Sequence, residues 1–337
     1  MSSGCSFKAV ILAGGSGERF GPLSTPERPK QFLRVFGGAS LIRQAVSRLD
    51  GLVSSKDVFV VTAKNLVAAT RRELPEIPKC NILGEPMRRD TGAAVALGVG
   101  LAASDADPVV GFFSSDQMVA NPKAFRKVVS KAVALARRKQ VIVTLGIKPT
   151  YPATCFGYIS PKTRTFVEKP DAKTAKKYVK AGYLWNAGMF IARASTFRGA
   201  FAAHAPELSC LTSSTRRRQG FGGQAKHLFA LYSKLPKISF DYAVMEKSKN
   251  VEVVPGDFGW DDVGSFAAFD KYFPHDSRGN VREGPCTVVE ADGNICVARS
   301  ARISLLGVKN LVVVTTPDSV LVADKSRLTD MKKLFKR

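Results

Sequence analysis

The chain has 337 residues, 45% of them hydrophobic, and its 51 basic against 28 acidic residues give a net charge of +23. That length suits one large domain or one domain with a small companion, and no run approaches the roughly 18 apolar residues of a membrane span. Six scattered cysteines and three histidines, with no Cys-x-x-Cys pair, argue against a structural zinc site and a disulfide framework. The first apolar patch is too short for a secretory signal, which predicts a cytoplasmic protein.

The positive charge is spread along the chain in short groups, such as 71–72, 137–139 and 216–218. An excess of this size is compatible with binding to nucleic acid or another polyanion. However, the basic groups are not interleaved with aromatic residues, and no nucleic-acid motif accompanies them. We therefore expect solvated helix faces, no membrane contact and no specific nucleic-acid partner.

The first predicted element is a buried strand, formed by the apolar run at 9–12. A glycine-rich turn follows at once, and such turns expose backbone N–H groups that bind anions. Its glycines are Gly14, Gly15 and Gly17. Two cations come next, Arg19 and Lys30, so the stretch suits a triphosphate. It fits neither common phosphate loop, since a Walker A loop needs Gly-Lys and the dinucleotide fingerprint needs a third glycine where Phe20 stands.

Strand-like and helix-like segments then alternate through the first half of the chain. Apolar runs predict strands at 58–61, 109–113 and 141–145, and helical spacing or composition predicts helices at 41–49, 66–74, 91–103 and 124–138. Near-continuous apolar strands with helices between them are typical of a parallel, doubly wound α/β sheet. Ligands bind such sheets at the carboxyl ends of the strands, where the glycine loop lies.

The pattern changes in the second half. Residues at about 150–255 form short predicted strands separated by turns and helices, which indicates an insertion that builds a second wall of a cleft. Within it, 214–224 is rich in arginine and glycine and is expected to be a mobile surface loop. From Gly279 onward short β runs follow closely, with a turn signal at 292–294. We predict a catalytic domain at 1–276 and a small β domain at 277–337.

Several motifs together resemble those of the sugar-phosphate nucleotidyltransferases, in particular the mannose-1-phosphate guanylyltransferase branch. The string from Val10 to Phe32 resembles the signature AGG-x-G-x-R-x-x-PL…PK, and further segments follow in the family's order. They are EPMRRDT at 85–91, SSDQ at 114–117, FVEKP at 166–170, WNAGMF at 185–190, DYAVMEK at 241–247 and FGWDDVGS at 258–265. The resemblance implies an α/β fold with a doubly wound, Rossmann-like mixed sheet and a small C-terminal β appendage of the left-handed β-helix type.

The same resemblance implies a nucleotide site around the glycine loop and the EPMRRDT segment. Guanine presents N1–H and N2–H₂ donors, so a carboxylate such as Glu85 is a natural acceptor. Asp90 and Thr91 have an alternative interpretation as helix caps. The implied nucleotide-binding residues are Leu12, Ala13, Gly14, Gly15, Gly17, Glu85, Arg88 and Thr91, and the implied catalytic cations are Arg19 and Lys30.

Two aspartates are the implied metal ligands. Asp116 follows the strand predicted at 109–113, where a plain turn aspartate is the alternative. The match of FGWDDVGS to the family selects Asp262 and leaves Asp261 as a variable position. Mg²⁺ is the expected cofactor, because it prefers oxygen ligands and keeps several waters. Asp241, in the DYAVMEK segment, is either a functional residue or only a helix cap, and we favour the cap.

The FVEKP and WNAGMF segments imply the sugar-phosphate site. Carboxylate and amide groups hydrogen-bond to sugar hydroxyls, glycines allow a close approach to the ring, and a lysine supplies a point charge for the phosphate. The implied residues are Gly157, Glu168, Lys169, Asn186 and Gly188.

The reaction implied by the resemblance is transfer of GMP from GTP to α-D-mannose 1-phosphate, giving GDP-mannose and pyrophosphate. In-line attack by the sugar phosphate is expected, since no nucleophilic Ser or Cys constellation is visible. The alternatives are the same chemistry on another sugar 1-phosphate, such as a heptose, and a catalytically silent sensor of sugar nucleotides. The sequence is compatible with a homodimer.

Overall fold

The computed structural model describes residues 6–15, 17–103, 107–213 and 221–334. Its strands are β1 (Phe7–Ala13), β2 (Val58–Ala63), β3 (Ile82–Glu85), β4 (Val109–Ser114), β5 (Met118–Val119), β6 (Ile142–Ile147), β7 (Tyr158–Ile159), β8 (Phe166–Val167), β9 (Leu184–Arg193), β10 (Val251–Gly256), β11 (Trp260–Asp261), β12 (Val281–Glu283), β13 (Cys286–Val289), β14 (Ile295–Ala298), β15 (Ile303–Leu306), β16 (Leu311–Thr316) and β17 (Ser319–Asp324). Its α-helices are α1 (Leu41–Ser47), α2 (Val67–Glu73), α3 (Asp90–Ala102), α4 (Pro122–Arg138), α5 (Ala172–Lys180), α6 (Ala194–His204), α7 (Pro206–Ser209), α8 (Phe221–Lys234) and α9 (Ala268–Tyr272).

The elements predicted for the first half are present close to their predicted bounds, as β1, β2, β4 and β6 and as α1 to α4. The loop predicted at 214–224 falls mostly on residues 214–220, which lie outside the described residues, and α8 begins at Phe221. Among the helices that the structure describes, none is both long and apolar enough to cross a membrane.

The chain divides into two compact units. The first unit comprises Met1–Gly14, Arg43–Ser115 and Val119–Trp260, and the second comprises Gly15–Ile42, Asp116–Met118 and Asp261–Arg337. The glycine loop beyond Gly14 therefore groups with the C-terminal β strands. The boundary that we place after residue 276 stays a prediction.

The first unit is built on a mixed sheet. Its strand order is β10-β6-β9-β4-β1-β2-β3, and β7 pairs with both β8 and β9. Parallel pairs join β1 to β2 and β4, β2 to β3, and β6 to β10. β9, which lies within the predicted insertion, is antiparallel to both of its sheet neighbours, β4 and β6. The doubly wound mixed α/β sheet is confirmed, and β9 departs from the parallel pattern because a run of apolar residues does not encode strand direction.

Helices α3 and α4 differ in how they pack. α3 is buried from Gly92 to Ala102, as its small, uncharged residues predict. Its Gly98 lies against the sheet, where a Cβ would be only 2.6 Å from a ring carbon of Phe112. α4 instead buries an apolar stripe that includes Phe125 and leaves its basic residues in solvent. α3 is therefore a core helix and α4 a surface helix.

The second unit contains a coil of short, mostly parallel strands. β12, β14 and β16 pair in parallel, as do β13 and β15, whereas β17 is antiparallel to β16. Buried asparagines connect successive turns: Asn294 Nδ2 donates to Asn280 Oδ1 at 2.9 Å, and Asn294 Oδ1 accepts from Leu311 N at 2.8 Å. The predicted turn is present, with Gly293 at a φ of 66°, but it separates strands of two different sheets. The expected β-helix-like domain is confirmed.

The segment 15–42 packs into the core of this second unit. The ring centroids of Phe20 and Phe36 are 6.5 Å apart. Phe20 also lies 5.3 Å from Phe266, and Phe36 lies 5.3 Å from Phe269. These aromatic contacts fix the segment whose backbone bears Arg19 and Lys30. The same hydrophobic cluster includes the strand residues Val281, Ile295 and Val312.

Candidate active site

A cavity of about 470 Å³ lies at the carboxyl ends of β1, β2 and β3. Three adjacent parallel strands end here, and their following residues form its wall. We call it the Glu85 pocket. Its lining residues are Gly14, Ala63, Lys64, Asn65, Glu85, Pro86, Met87 and Arg88. Three of the predicted nucleotide-binding residues are therefore brought together.

Glu85 presents a nearly buried carboxylate to this pocket. Its Oε1 accepts a hydrogen bond from the Tyr232 hydroxyl at 3.2 Å, and a Cβ on Gly14 would lie 3.4 Å from its Oε2. Burial raises the pKa of Glu85 to about 7, the Tyr232 hydrogen bond opposes that rise, and the Asp90 carboxylate adds to it. Glu85 therefore changes charge near neutral pH.

The segment after Glu85 is attached to distant parts of the first unit. Arg89 Nε donates to Tyr232 O at 2.7 Å, and Thr91 Oγ1 accepts from Phe240 N at 2.9 Å. Asp90 Oδ1 accepts from Thr91 N at 2.7 Å, so this carboxylate binds a backbone N–H at the start of α3. The helix-cap alternative therefore stays open for Asp90. It does not hold for Thr91, whose hydroxyl instead fixes the Phe240 turn.

The last residues of β1, Leu12 and Ala13, contribute backbone carbonyls to the neighbouring strand ends. Leu12 O accepts from Ser115 N at 3.1 Å, and Ala13 O accepts from Thr62 Oγ1 at 3.0 Å. These bonds hold the first turn of the glycine loop in place within the first unit.

Four predicted residues of the second unit come together although they are far apart in sequence. Lys30 Nζ donates to Asp116 Oδ2 at 3.0 Å and to the Asp262 carbonyl at 2.8 Å, across 86 and 232 positions. A Cβ on Gly264 would lie 3.3 Å from Asp262 Oδ2 and 3.9 Å from Arg19 Nη1. The Arg19 guanidinium and the Asp262 carboxylate thus approach the same stretch of backbone. We call Arg19, Lys30, Asp116 and Asp262 the Lys30 cluster.

The charges of the Lys30 cluster suit a metal ion that is shared with a phosphate. Burial raises the pKa of Asp262, Lys30 opposes that rise, and the Asp116 carboxylate adds to it. Among the described residues, no group of three or more metal-binding side chains occurs. Mg²⁺ is commonly held by one or two carboxylates and takes its remaining ligands from phosphates and water. The pair of carboxylates therefore suits a divalent cation that takes its other ligands from phosphates and water.

The glycine loop is fixed against this cluster by close backbone contacts. Gly17 has a φ of 66°, and a Cβ there would lie 2.5 Å from Lys30 N, so no other residue fits without strain. Ser24 Oγ donates to Gly17 O at 2.6 Å. A Cβ on Gly15 would be 4.0 Å from Asp116 Oδ2. The backbone of the glycine loop therefore packs directly against Lys30 and lies close to the carboxylate of Asp116.

Asp261, the variable position of the motif, has a local role. Its Oδ1 accepts from Val263 N at 2.7 Å, and its Oδ2 pairs with Lys271 Nζ at 2.5 Å. Both oxygens of Asp261 thus stabilise the turn, which distinguishes this aspartate from Asp262.

The predicted sugar-phosphate residues meet in the first unit, in what we call the Asn186 cluster. Asn186 Oδ1 accepts from Thr144 Oγ1 at 2.7 Å and from Gly188 N at 3.0 Å. Its Nδ2 donates to Asp241 Oδ1 at 2.9 Å, and its backbone N–H donates to Gly157 O at 2.8 Å. The protein therefore fixes the Asn186 side chain through both its amide oxygen and its amide nitrogen.

Glu168 and Lys169 belong to the same cluster. Lys169 Nζ lies 2.6 Å from Glu168 Oε1, and Glu246 Oε1 accepts from Glu168 N at 2.8 Å. A Cβ on Gly157 would be 2.5 Å from Glu168 Oε2 and 2.9 Å from a ring carbon of Phe166, so a side chain there would displace both. Burial lowers the pKa of Lys169, but the hydrogen bond and charge of Glu168 outweigh it, and the net shift is upward. Lys169 therefore stays cationic.

Asp241 is not the helix cap that its sequence context suggests. It begins a π-helical turn, Asp241–Met245, that has no side-chain cap in the described chain, and its carboxylate accepts from Asn186 instead. Burial raises the pKa of Asp241, the Glu168 carboxylate adds to the rise, and Lys169 opposes it. Asp241 is thus a member of the Asn186 cluster, and its place in the DYAVMEK segment was the available signal.

Two further residues of these clusters have no signal in the sequence. Tyr232 lies 147 positions from Glu85, and Thr144 lies 42 positions from Asn186. Neither residue belongs to a recognisable motif, so only the fold reveals them.

The described clusters offer three different chemistries. The Glu85 pocket provides a carboxylate acceptor in a cavity, and the Lys30 cluster provides cations beside paired carboxylates. The Asn186 cluster provides polar groups for hydroxyls and a lysine for an anion. These are the requirements for binding a base, a polyphosphate and a phosphorylated sugar.

Two family models match the chain in succession. A model described as nucleotidyl transferase matches residues 8–278. A model described as MannoseP isomerase/GMP-like beta-helix domain matches residues 284–337.

Known proteins are similar over nearly the whole chain. It is 34% identical over 351 residues to mannose-1-phosphate guanylyltransferase ManC of Salmonella typhimurium, covering 97% of this chain and 72% of the relative. It is 33% identical to a Klebsiella pneumoniae mannose-1-phosphate guanylyltransferase, covering 96% of this chain and 72% of the relative. A solved structure described as mannose-1-phosphate geranyltransferase from Thermus thermophilus has a TM-score of 0.87 at 33% identity, covering 98% of this chain and 99% of that one.

Proposed function

The chain belongs to the nucleotidyl transferase family, among the mannose-1-phosphate guanylyltransferases, and we propose that it transfers GMP from GTP to α-D-mannose 1-phosphate. The products are GDP-mannose and pyrophosphate. The observation that carries this proposal is the meeting of Arg19, Lys30, Asp116 and Asp262 in one cluster. Cations beside paired carboxylates suit a metal-bound triphosphate.

The proposed chemistry is an in-line displacement. An oxygen of the sugar phosphate forms a bond to the α-phosphorus of GTP. The bond from that phosphorus to the oxygen bridging to the β-phosphate breaks, and pyrophosphate leaves. Both reactants are anions, so catalysis consists of positioning and charge neutralisation.

The Lys30 cluster is assigned to the triphosphate and the metal. Arg19 has an exposed guanidinium that suits bidentate contact with phosphate oxygens, whereas Lys30 is a buried point charge. Nucleotidyl transferases generally depend on a divalent metal, and we propose Mg²⁺ held by Asp116 and Asp262. When bound, this ion neutralises phosphate charge. The backbone N–H groups of the glycine loop are assigned to the same phosphates.

The first unit is assigned to the base and the sugar. Glu85 accepts from the base, Arg88 lines the same pocket, and Thr91 secures the segment between them and α3. In the Asn186 cluster, Asn186 and Glu168 are assigned to sugar hydroxyls. Lys169 is assigned to the phosphate of the sugar, which its positive charge attracts.

The setting of the reaction is also part of the proposal. We place it in the cytoplasm, with GTP and mannose 1-phosphate as small-molecule partners and with no membrane or specific nucleic-acid partner. We propose residues 1–276 as the catalytic domain and 277–337 as the β domain. A homodimer is the proposed assembly.

The test is a release assay for pyrophosphate across nucleotides and sugar phosphates. GTP with mannose 1-phosphate should give the highest kcat/KM, and Asp262→Asn serves as the control for contaminating activity. Equal use of ATP or UTP would contradict the base assignment, and preference for a heptose 1-phosphate would contradict the sugar assignment. Tight GTP binding without turnover on any sugar phosphate would identify a sensor.

A further inference from the structure

Tyr232, near the end of α8, lies against the carboxylate of the Glu85 pocket. Its side chain is fully buried, and its hydroxyl is 3.2 Å from Glu85 Oε1. Throughout the described ranges, this hydroxyl is the single hydrogen-bond donor to the Glu85 carboxylate. The other oxygen, Oε2, lies next to Gly14, which lines the pocket and has no side chain.

A second contact fixes the same tyrosine from the backbone. Arg89 Nε donates to Tyr232 O at 2.7 Å, and its Nη2 donates to Ser233 O at 3.0 Å. Arg89 lies four residues after Glu85, so the end of α8 is joined twice to the segment that bears the carboxylate. A tyrosine that only filled the core could bond to any carbonyl, whereas this one bonds to the ionisable group of the pocket.

We propose that Tyr232 is a positioning residue, which orients Glu85 so that its Oε2 accepts a hydrogen bond from guanine. The inference rests on the proposed function, in which Glu85 contacts the base. Guanine offers N–H donors where adenine offers an acceptor. With Oε1 bound to Tyr232, a base without the donor covers Oε2 and leaves it unpaired, which is costly. Tyr232 therefore contributes to the preference for GTP.

The surroundings of Glu85 make its charge sensitive to this hydroxyl. Burial and Asp90, on α3, favour the neutral acid, and Tyr232, on α8, favours the carboxylate. Lys64 and Arg88 are the other charged residues in the pocket lining. Loss of the hydroxyl raises the pKa of Glu85 further, so the acid is neutral at pH values where the wild type is ionised.

The experiment compares GTP binding by the wild type, Tyr232→Phe and Tyr158→Phe with calorimetry. Tyr158 is the matched control, because it is also buried and its hydroxyl donates to Ala153 O at 2.9 Å. We expect Tyr232→Phe to bind GTP about 10-fold more weakly near pH 7 and to recover only part of this affinity at higher pH, where Glu85 ionises but is no longer oriented. Its KM for GTP should rise while its KM for mannose 1-phosphate stays the same. Tyr158→Phe should bind GTP as the wild type does.

Glu85→Gln provides the second arm of the experiment. It removes the titrating carboxyl of the pocket, so GTP binding should lose the part of its pH dependence that comes from Glu85, and adding Tyr232→Phe to it should change little. No loss from Tyr232→Phe at any pH, or the same loss in the Glu85→Gln background, would overturn the inference. A wild type with no preference for GTP would contradict the proposed function instead, whatever Tyr232 does.

Discussion

Lys30 is the residue on which the charge balance of its cluster depends. Its ammonium is 3.0 Å from Asp116 Oδ2 and 2.8 Å from the Asp262 carbonyl, and it is buried. A buried ion is costly unless a partner of opposite charge offsets its lost hydration. The lysine pairs directly with the Asp116 carboxylate, and its charge opposes the rise that burial and Asp116 cause in the pKa of Asp262.

Replacing Asp116 or Asp262 by a neutral residue should affect activity, whereas the same change at Asp261 should not. We predict that Asp116→Asn and Asp262→Asn lose activity or need far more Mg²⁺, because an amide keeps the size but removes the negative charge. The measurement is turnover as a function of Mg²⁺ concentration, with metal binding followed separately by calorimetry in the presence of GTP.

Asp261→Asn is the matched control for these two variants. It should keep the wild-type Mg²⁺ dependence, since both of its oxygens serve Val263 N and Lys271. Because the pair with Lys271 is solvent-exposed, its loss should lower the free energy of unfolding by about 1 kcal/mol at most. If Asp261 proves critical and Asp262 silent, our assignment of the motif is displaced by one residue.

Residues within motifs could be predicted from the sequence, and residues outside them could not. Arg19, Lys30, Asp116 and Asp262 were all candidates, because each stands in a recognisable string. Tyr232 was not, because a tyrosine in a helix is ordinary until the fold places it beside a carboxylate 147 positions away. Asp241 was identified but misinterpreted, since an aspartate at the start of a helical turn commonly caps it.

At the level of elements, the glycine loop is where a substitution is least tolerated. Gly17 needs a positive φ of 66° and has no room for a Cβ, whereas Gly38, at a φ of 79°, has no heavy atom within 4 Å of that position. The two glycines lie in the same unit. Gly38 shares the positive φ of Gly17 but not its steric contact, so comparing them distinguishes the cost of the backbone conformation from the cost of the contact.

We predict that Gly38→Ala lowers the free energy of unfolding by about 1 kcal/mol, the cost of a left-handed alanine. Gly17→Ala should cost roughly 3 kcal/mol, because overlap with the Lys30 backbone is added. Urea unfolding measures both, and activity should fall only in Gly17→Ala, since that substitution displaces Lys30. Equal losses in the two variants would show that the Lys30 contact does not constrain the loop.

The elements themselves were predictable to different degrees. Long apolar strands such as β1 and β4, and helix α3, which carries no charge after Asp90, bury most of their residues, so their composition alone indicates them. The direction of β9 was not predictable, because antiparallel and parallel strands in the middle of a sheet bury both faces alike. The turn before β14 was predicted, but its pairing was not, since a coil of parallel strands depends on contacts between successive turns.

For the whole molecule, the net charge of +23 is the property that no single site explains. Part of it lies on α4, where Lys127 and Lys131 are exposed. Such a field attracts any polyanion, so weak binding to nucleic acid should occur and should fall steeply with salt. Tight, sequence-selective binding that persists at physiological salt would contradict an enzyme-only function.

The same field should act on the enzyme's own substrates, which are anions. We predict that kcat/KM for GTP falls about 10-fold as added salt screens the protein, while kcat changes little, because long-range attraction assists encounter rather than chemistry.

Lys127→Glu combined with Lys131→Glu should lower kcat/KM at low salt and flatten its salt dependence, since both side chains lie on the exposed face of α4, outside every cluster assigned to catalysis. An uncharged solute at matched osmolarity is the control. If kcat/KM does not respond to salt, the positive charge plays no part in substrate capture.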